Sequence, residues 1–168
     1  MVNERGSTVA MPEPQFSSLP GSLRFHHLGI AVASLDPAIE LYRKLFGYQV
    51  VSEVFQDPIQ RVSVCFLDRG EVCEAALELI APLPGDSPVK SVLAKGGGAY
   101  HICFATNDIE RTLASAAAQG CLVVSRPVPA VAFDGRRIAW FFTPTRQLVE
   151  LVEAVRSPIP EVASVDSV

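Results

Sequence analysis

The sequence lacks several things, and each lack closes a class of function. It has no excess of positive charge: 14 Lys and Arg stand against 18 Asp and Glu, a formal net charge of −4. A protein that grips a phosphate backbone needs a basic face, so no nucleic-acid partner is expected. It has no apolar run of the roughly 18 residues that cross a bilayer, so no membrane partner is expected. Its opening stretch, Met1 to Ser7, has no apolar segment of the kind that directs secretion. Its four cysteines, Cys65, Cys73, Cys103 and Cys121, are nowhere in Cys-x-x-Cys spacing. That spacing would have suggested a zinc knuckle or a redox pair. Reduced core thiols in a cytoplasmic protein are the expectation that follows.

What is present is enough apolar material for a real core. Apolar residues make up 49% of 168 and charged residues 19%, which suits one domain or two small similar halves. Residues 1–22 are rich in Ser, Pro, Gly and Glu and read as a flexible N-terminal arm; 157–168 read as a flexible tail. The domain is expected over 23–156. Within it lie a first module at about 24–81, a linker at 82–98 and a second module at about 99–153.

Each module opens with a strand, Phe25 to Ala33 and Ala99 to Thr106. A helix follows. Ser34 can cap one running to Phe46, with Ala38, Leu41, Tyr42 and Leu45 as its buried stripe and Gly47 as its stop. Asp108 can cap the other, which Gly120 stops. Three strand-like runs complete the first module: Tyr48–Phe55, Gln60–Leu67 and Glu74–Ile80. The second offers Cys121–Ser125, Arg136–Phe142 and Gln147–Val152, with Arg126 to Gly135 a loop without obvious structure. The linker holds a short helix starting at Pro88. Lys95-Gly96-Gly97-Gly98 lacks the spacing of a phosphate-binding loop and reads as a turn.

The order β-α-β-β-β thus occurs twice, and the counting agrees. Seven residues separate His27 from Ser34, and seven separate His101 from Asp108. His27 precedes Glu78 by 51 residues and His101 precedes Glu150 by 49. Each half therefore carries a His on its first strand and a Glu on its last. The fold class expected is α+β, with two paired βαβββ modules forming a cupped mixed sheet.

The carboxylates sit in Leu77-Glu78-Leu79-Ile80 and Leu148-Val149-Glu150-Leu151-Val152. A carboxylate inside an apolar run is costly to bury without a cation or strong donors. Two matched ones, with two imidazoles, ask for a shared partner. One divalent metal held by His27, Glu78, His101 and Glu150 would satisfy all four. Two nitrogens and two oxygens suit cobalt, nickel, zinc, manganese or iron better than calcium. His26 neighbours His27, so strand alternation puts it on the opposite face, structural or exposed. Cys103 shares the face of His101 and reads as a packed small residue. Asp134-Gly135-Arg136-Arg137 reads as a solvated turn, with contact to a substrate phosphate as the alternative. Phe133, Trp140 and Phe142 could wall a pocket or pack in the core.

Phe25-His26-His27-Leu28-Gly29-Ile30-Ala31-Val32 resembles the opening strand of vicinal-oxygen-chelate enzymes. Among them the chain is most similar to methylmalonyl-CoA epimerases. Leu77-Glu78-Leu79-Ile80-Ala81-Pro82, Tyr100-His101-Ile102-Cys103-Phe104, Asn107-Asp108-Ile109-Glu110 and Leu148-Val149-Glu150-Leu151 carry the same resemblance. It implies a metal-dependent isomerase or epimerase that abstracts a proton α to a carbonyl, with Glu150 and Glu78 as catalytic carboxylates. It also implies a small-molecule substrate, a coenzyme A or carrier-protein thioester, and a homodimer. A glyoxalase I-like lyase, an extradiol-type dioxygenase and a non-catalytic binding or resistance protein are the other readings. Three departures from the epimerases stand out. Glu78 replaces a frequent Gln, Val64 occupies the position of a second catalytic Glu, and Thr143 to Gln147 replaces a longer loop.

Overall fold

The computed structural model describes residues 16–71 and 74–155; the expected tail at 157–168 lies outside them. Ten strands form a single mixed sheet. In the first half β1 (Arg24–Ala31) leads to α1 (Leu35–Phe46), then β2 (Gln49–Val50), β3 (Phe55–Asp57), β4 (Val62–Asp68) and β5 (Ala76–Pro82). A short α2 (Lys90–Leu93) connects to the second half. There β6 (Gly98–Thr106) and α3 (Ile109–Ala118) precede β7 (Leu122–Val123), β8 (Val128–Pro129), β9 (Arg137–Phe142) and β10 (Leu148–Glu153).

The main path of the sheet runs β2-β4-β5-β1-β6-β10-β9-β7, so its two sides mirror each other about the β1–β6 seam. β1 pairs antiparallel with β6, while β5 lies parallel to β1 and β10 parallel to β6. The repeat inferred by counting is thus a repeat in space. The third expected element of the first half is broken into β2 and β3, separate short strands on β4, and that of the second half is reduced to the two-residue β7 on β9. The loop expected at Arg126–Gly135 holds β8 and one turn of 3-10 helix, Val131–Phe133.

Alternation along the strands divides the molecule into two faces. Cys65, Leu67, Leu77, Leu79 and Ala81 point to α1 and pack with Leu35 and Ala38. Ala139, Phe141, Val149 and Leu151 point to α3 and pack with Ile109, Leu113 and Ala116. The helices therefore cover one face, and the intervening residues, Glu78 and Glu150 among them, face the other way.

The buried stripe of α1 differs from the expected one. Leu41 and Leu45 are exposed, and the core side is Leu35, Ala38, Ile39 and Tyr42. Both sets satisfy i, i+3, i+4, i+7 spacing, so periodicity could not choose between them. Gly47 ends the helix with φ 76°, a left-handed conformation that costs glycine little. Residues 16–22 of the expected arm lie against the second half. Leu19 packs on the α3 core, the Ser17 amide donates to Gln119 Oε1 at 2.6 Å, and Thr112 Oγ1 donates to the Pro20 carbonyl.

Candidate metal centre

Register builds the site. Across the four central strands, Glu78 on β5 lies opposite Gly29 on β1, and Gly29 lies opposite His101 on β6. One row further on, His27 on β1 lies opposite Cys103 on β6, which lies opposite Glu150 on β10. Directly opposed residues share a face, so both rows project from the face the helices leave free. His27, His101 and Glu150 are 0%, 1% and 2% exposed and Glu78 is 6%, so none keeps the hydration shell a free charge needs.

One ligand-capable atom from each of the four comes together, all within 4.8 Å of one another. His27 Nε2 lies 3.3 Å from Glu78 Oε2 and 3.4 Å from Glu150 Oε2. His101 Nε2 lies 3.4 Å from each of the same oxygens, and the two Nε2 atoms are 2.9 Å apart. Donors tetrahedrally placed about 2.0–2.1 Å from a common centre stand about 3.3–3.4 Å apart, which four of these separations match. Among the described residues Glu150 Oε2 is buried and makes no proper hydrogen bond. An anionic oxygen in that position is satisfied by a cation among the four atoms. The residues present fit one divalent metal, and all four come from one chain.

The same crowding shifts the ionisable groups. Burial pushes the His27 imidazole down, but Glu150 and Glu78 beside it outweigh burial and raise it to about 9. Burial pushes the Glu150 carboxyl up, but His101 and His27 outweigh it and hold it at about 2. Burial first, then the Glu150 charge, push the Cys103 thiol well above its ordinary range. It remains a neutral side chain packed with Ala130, Phe133 and Val152, as the sequence suggested.

His26 departs from the expected alternation. Phe25 pairs with Phe104 and His27 with Cys103, so β1 carries one extra residue there, and that residue is His26. A β-bulge of this kind re-aims a side chain. His26 Nδ1 lies 2.9 Å from His27 Nδ1, and the His26 ring meets Phe133 edge-to-face at 5.5 Å. The second half bulges at the matching place. Gly29 pairs with His101 and Ile30 with Ala99, leaving Tyr100 as the extra residue, and Tyr100 lines the cavity. Sequence alternation missed both bulges. The signal available was that each of the two converging histidines, His27 and His101, is preceded by a large ring-bearing residue at the same place in the repeat.

A cavity of about 730 Å³ opens above the cluster. Val62, Val64 and Ile80 wall it from the first half; Phe133, Trp140 and Phe142 wall it from the second. Lys95 and Arg146 bring positive charge to its lining. The two arginines of the 134–137 turn do not serve it. Arg137 is tied to Glu153 and Glu110, and Arg136 donates to the Glu153 carbonyl and stacks over Phe133. They fasten the turn that carries Phe133, while Asp134 and Gly135 at its tip are exposed, as expected of a solvated turn. Among the described residues no helix is long and apolar enough to cross a membrane.

Comparison with known proteins agrees with this fold. The chain is 36% identical over 134 residues to the uncharacterized protein YqjC of Bacillus subtilis, covering 77% of this chain and 91% of that one. It is 38% identical over 109 residues to the mitochondrial methylmalonyl-CoA epimerase of Mus musculus, spanning 62% of this chain and 59% of that enzyme. Among solved structures it resembles a Streptomyces coelicolor methylmalonyl-CoA epimerase variant in complex with 2-nitronate-propionyl-CoA. There the TM-score is 0.67 and the identity 29%, over 79% of this chain and 98% of that one. The pattern of one family matches residues 26–140, more than half of the chain. This protein belongs to the Glyoxalase/Bleomycin resistance protein/Dioxygenase superfamily.

Proposed function

We propose that this chain is a metal-dependent isomerase of the epimerase type, acting on the carbon α to the carbonyl of a coenzyme A thioester. The observation that carries the reading is the convergence of His27, Glu78, His101 and Glu150 below a cavity walled by both halves. A divalent ion held by these four would supply Lewis acidity toward oxygen next to the reacting carbon. The chain's own residues supply the rest. Glu150 and Glu78 come from the two halves and both line the cavity, so one carboxylate can accept the α-proton and the other can return one. Val62, Val64, Ile80 and Trp140 keep water from the carbon while it is deprotonated. Lys95 and Arg146 suit an anionic carrier. The acyl-CoA complex of the Streptomyces relative supports this substrate class.

A second reading rests on Val64. It is 4% exposed in the cavity wall, where the resemblance to epimerases would place a second acid. Without that acid, a glyoxalase I-like isomerisation of a hemithioacetal fits the same four ligands. Metal content by elemental analysis comes first. About one transition metal per wild-type chain, lost in Glu150→Ala, is the expected result. Deuterium incorporation at the α-carbon of methylmalonyl-CoA in heavy water then separates the readings. Turnover of a methylglyoxal–thiol adduct without that exchange favours the second. A wild-type chain that takes up no metal even after reconstitution sinks both.

A further inference from the structure

The two candidate histidine ligands are supported differently. Among the described residues His101 Nδ1 is buried with no hydrogen-bond partner, whereas His27 Nδ1 faces His26 Nδ1 at 2.9 Å. Two ring nitrogens at that distance share one hydrogen: one donates and the other accepts. For His27 to offer a lone pair through Nε2, its proton must sit on Nδ1, and His26 Nδ1 must then be the acceptor.

We infer that His26 is a positioning residue that holds His27 in the tautomer and ring orientation able to bind the metal. The inference rests on the metal reading above. Three observations support it. The bulge at His26 turns its side chain to the same side as His27. The contact is between Nδ1 atoms, leaving His27 Nε2 directed at His101 and the two carboxylates. Phe133 meets the His26 ring edge-to-face at 5.5 Å and lies stacked against the His27 ring at 6.1 Å, so one aromatic side chain braces both. A metal-ligating histidine commonly donates its second ring N–H to a carboxylate, carbonyl or water. Here another imidazole takes that place.

The test is metal affinity, read by competition of zinc against a chromophoric chelator, on wild type, His26→Phe, His26→Asn and His27→Ala. Phe keeps a ring against Phe133 but offers no acceptor; Asn restores an acceptor oxygen near the position of Nδ1. His26→Phe is expected to weaken zinc binding about 10–100-fold, and His26→Asn to recover most of the loss. Thermal melting of the metal-free proteins should differ little, which separates positioning from folding. Long-range nitrogen–proton NMR of the zinc-loaded wild type should place the His27 proton on Nδ1 and the His26 proton on Nε2. His26→Phe binding zinc within about two-fold of wild type would overturn the inference and leave the metal site standing, as would a proton on His26 Nδ1. Zinc binding unchanged by His27→Ala would instead remove the metal reading and this inference with it.

Discussion

The first half of the chain brings His27 to the centre with a hydrogen-bonding neighbour at its Nδ1; the second brings His101 with none at its Nδ1 among the described residues. His101 is held by shape. A Cβ built on Gly29 would lie 2.2 Å from His101 Cε1, so the imidazole occupies the space a side chain would take. Trp140 meets the same ring edge-on at 4.8 Å. At the matching place in the other half stands Cys103, opposite His27, and the slot is filled. The comparison teaches that a duplicated unit can keep its paired histidines while the means of orienting them diverge: a hydrogen bond on one side, a steric slot on the other.

The largest effect should separate the two carboxylates. Glu150→Gln should weaken metal binding at least about 100-fold, because among the described residues its buried Oε2 makes no hydrogen bond. Glu78→Gln keeps an amide oxygen where the epimerases often carry one and should cost less than about 10-fold. Chelator competition measures both; equal losses would mean that the halves contribute equivalent ligands.

Next comes the slot itself. Gly29→Ala should displace the His101 ring, cost about 1–3 kcal/mol of folding stability and weaken metal binding at least about ten-fold. Cys103→Ala, at the matching position, leaves a small void and should cost about 1 kcal/mol. It should leave metal affinity nearly unchanged. Urea unfolding and the same competition assay report both. A tolerated Gly29→Ala would show that His101 is not shape-held.

Why the convergence of four candidate residues was legible in the sequence, and their support was not, follows from what each leaves in the chain. Glu78 and Glu150 interrupt apolar runs, and the repeat fixes His27 and His101 by count; these signals survive without a structure. A bulge adds one residue to one strand and has no composition of its own, so strict alternation put His26 on the wrong face. Two overlapping apolar stripes on α1 were equally periodic, and only packing selects Leu35 over Leu45. The 126–135 segment looked structureless because two-residue strands and a single 3-10 turn are too short to show a period, yet it delivers Phe133 to His26 and His27.

The halves also meet electrostatically, and pH should show it in metal-free protein. His27 is raised from 6.5 to about 9, so its contribution to stability is whole below pH 6.5 and is lost as pH rises through about 9. Glu150 is lowered from 4.5 to about 2, so its contribution is whole above pH 4.5 and is lost as pH falls toward 2. The melting temperature after chelation should therefore be highest between about pH 4.5 and 6.5 and fall on both sides. Loading with metal should remove the alkaline decline, since a ligated His27 carries no proton on Nε2. A chelated protein whose melting temperature keeps rising from pH 6.5 to 9 would contradict the charged His27.

The smallest effect concerns the helix starts, which looked alike in sequence and differ in fact. Asp108 accepts a hydrogen bond from the Arg111 amide at 3.0 Å, whereas Ser34 occupies the same place before α1 and makes no side-chain cap bond. An amide left without a partner in the first turn weakens a helix, and a carboxylate there also meets the positive end of the dipole. Asp108→Ala should cost about 1 kcal/mol, within the range for lost caps, and Ser34→Ala close to nothing. Chemical denaturation of the two single mutants is sufficient to tell them apart. Equal losses would mean that Ser34 caps α1 in solution and that the two halves are more alike at their helices than at their histidines.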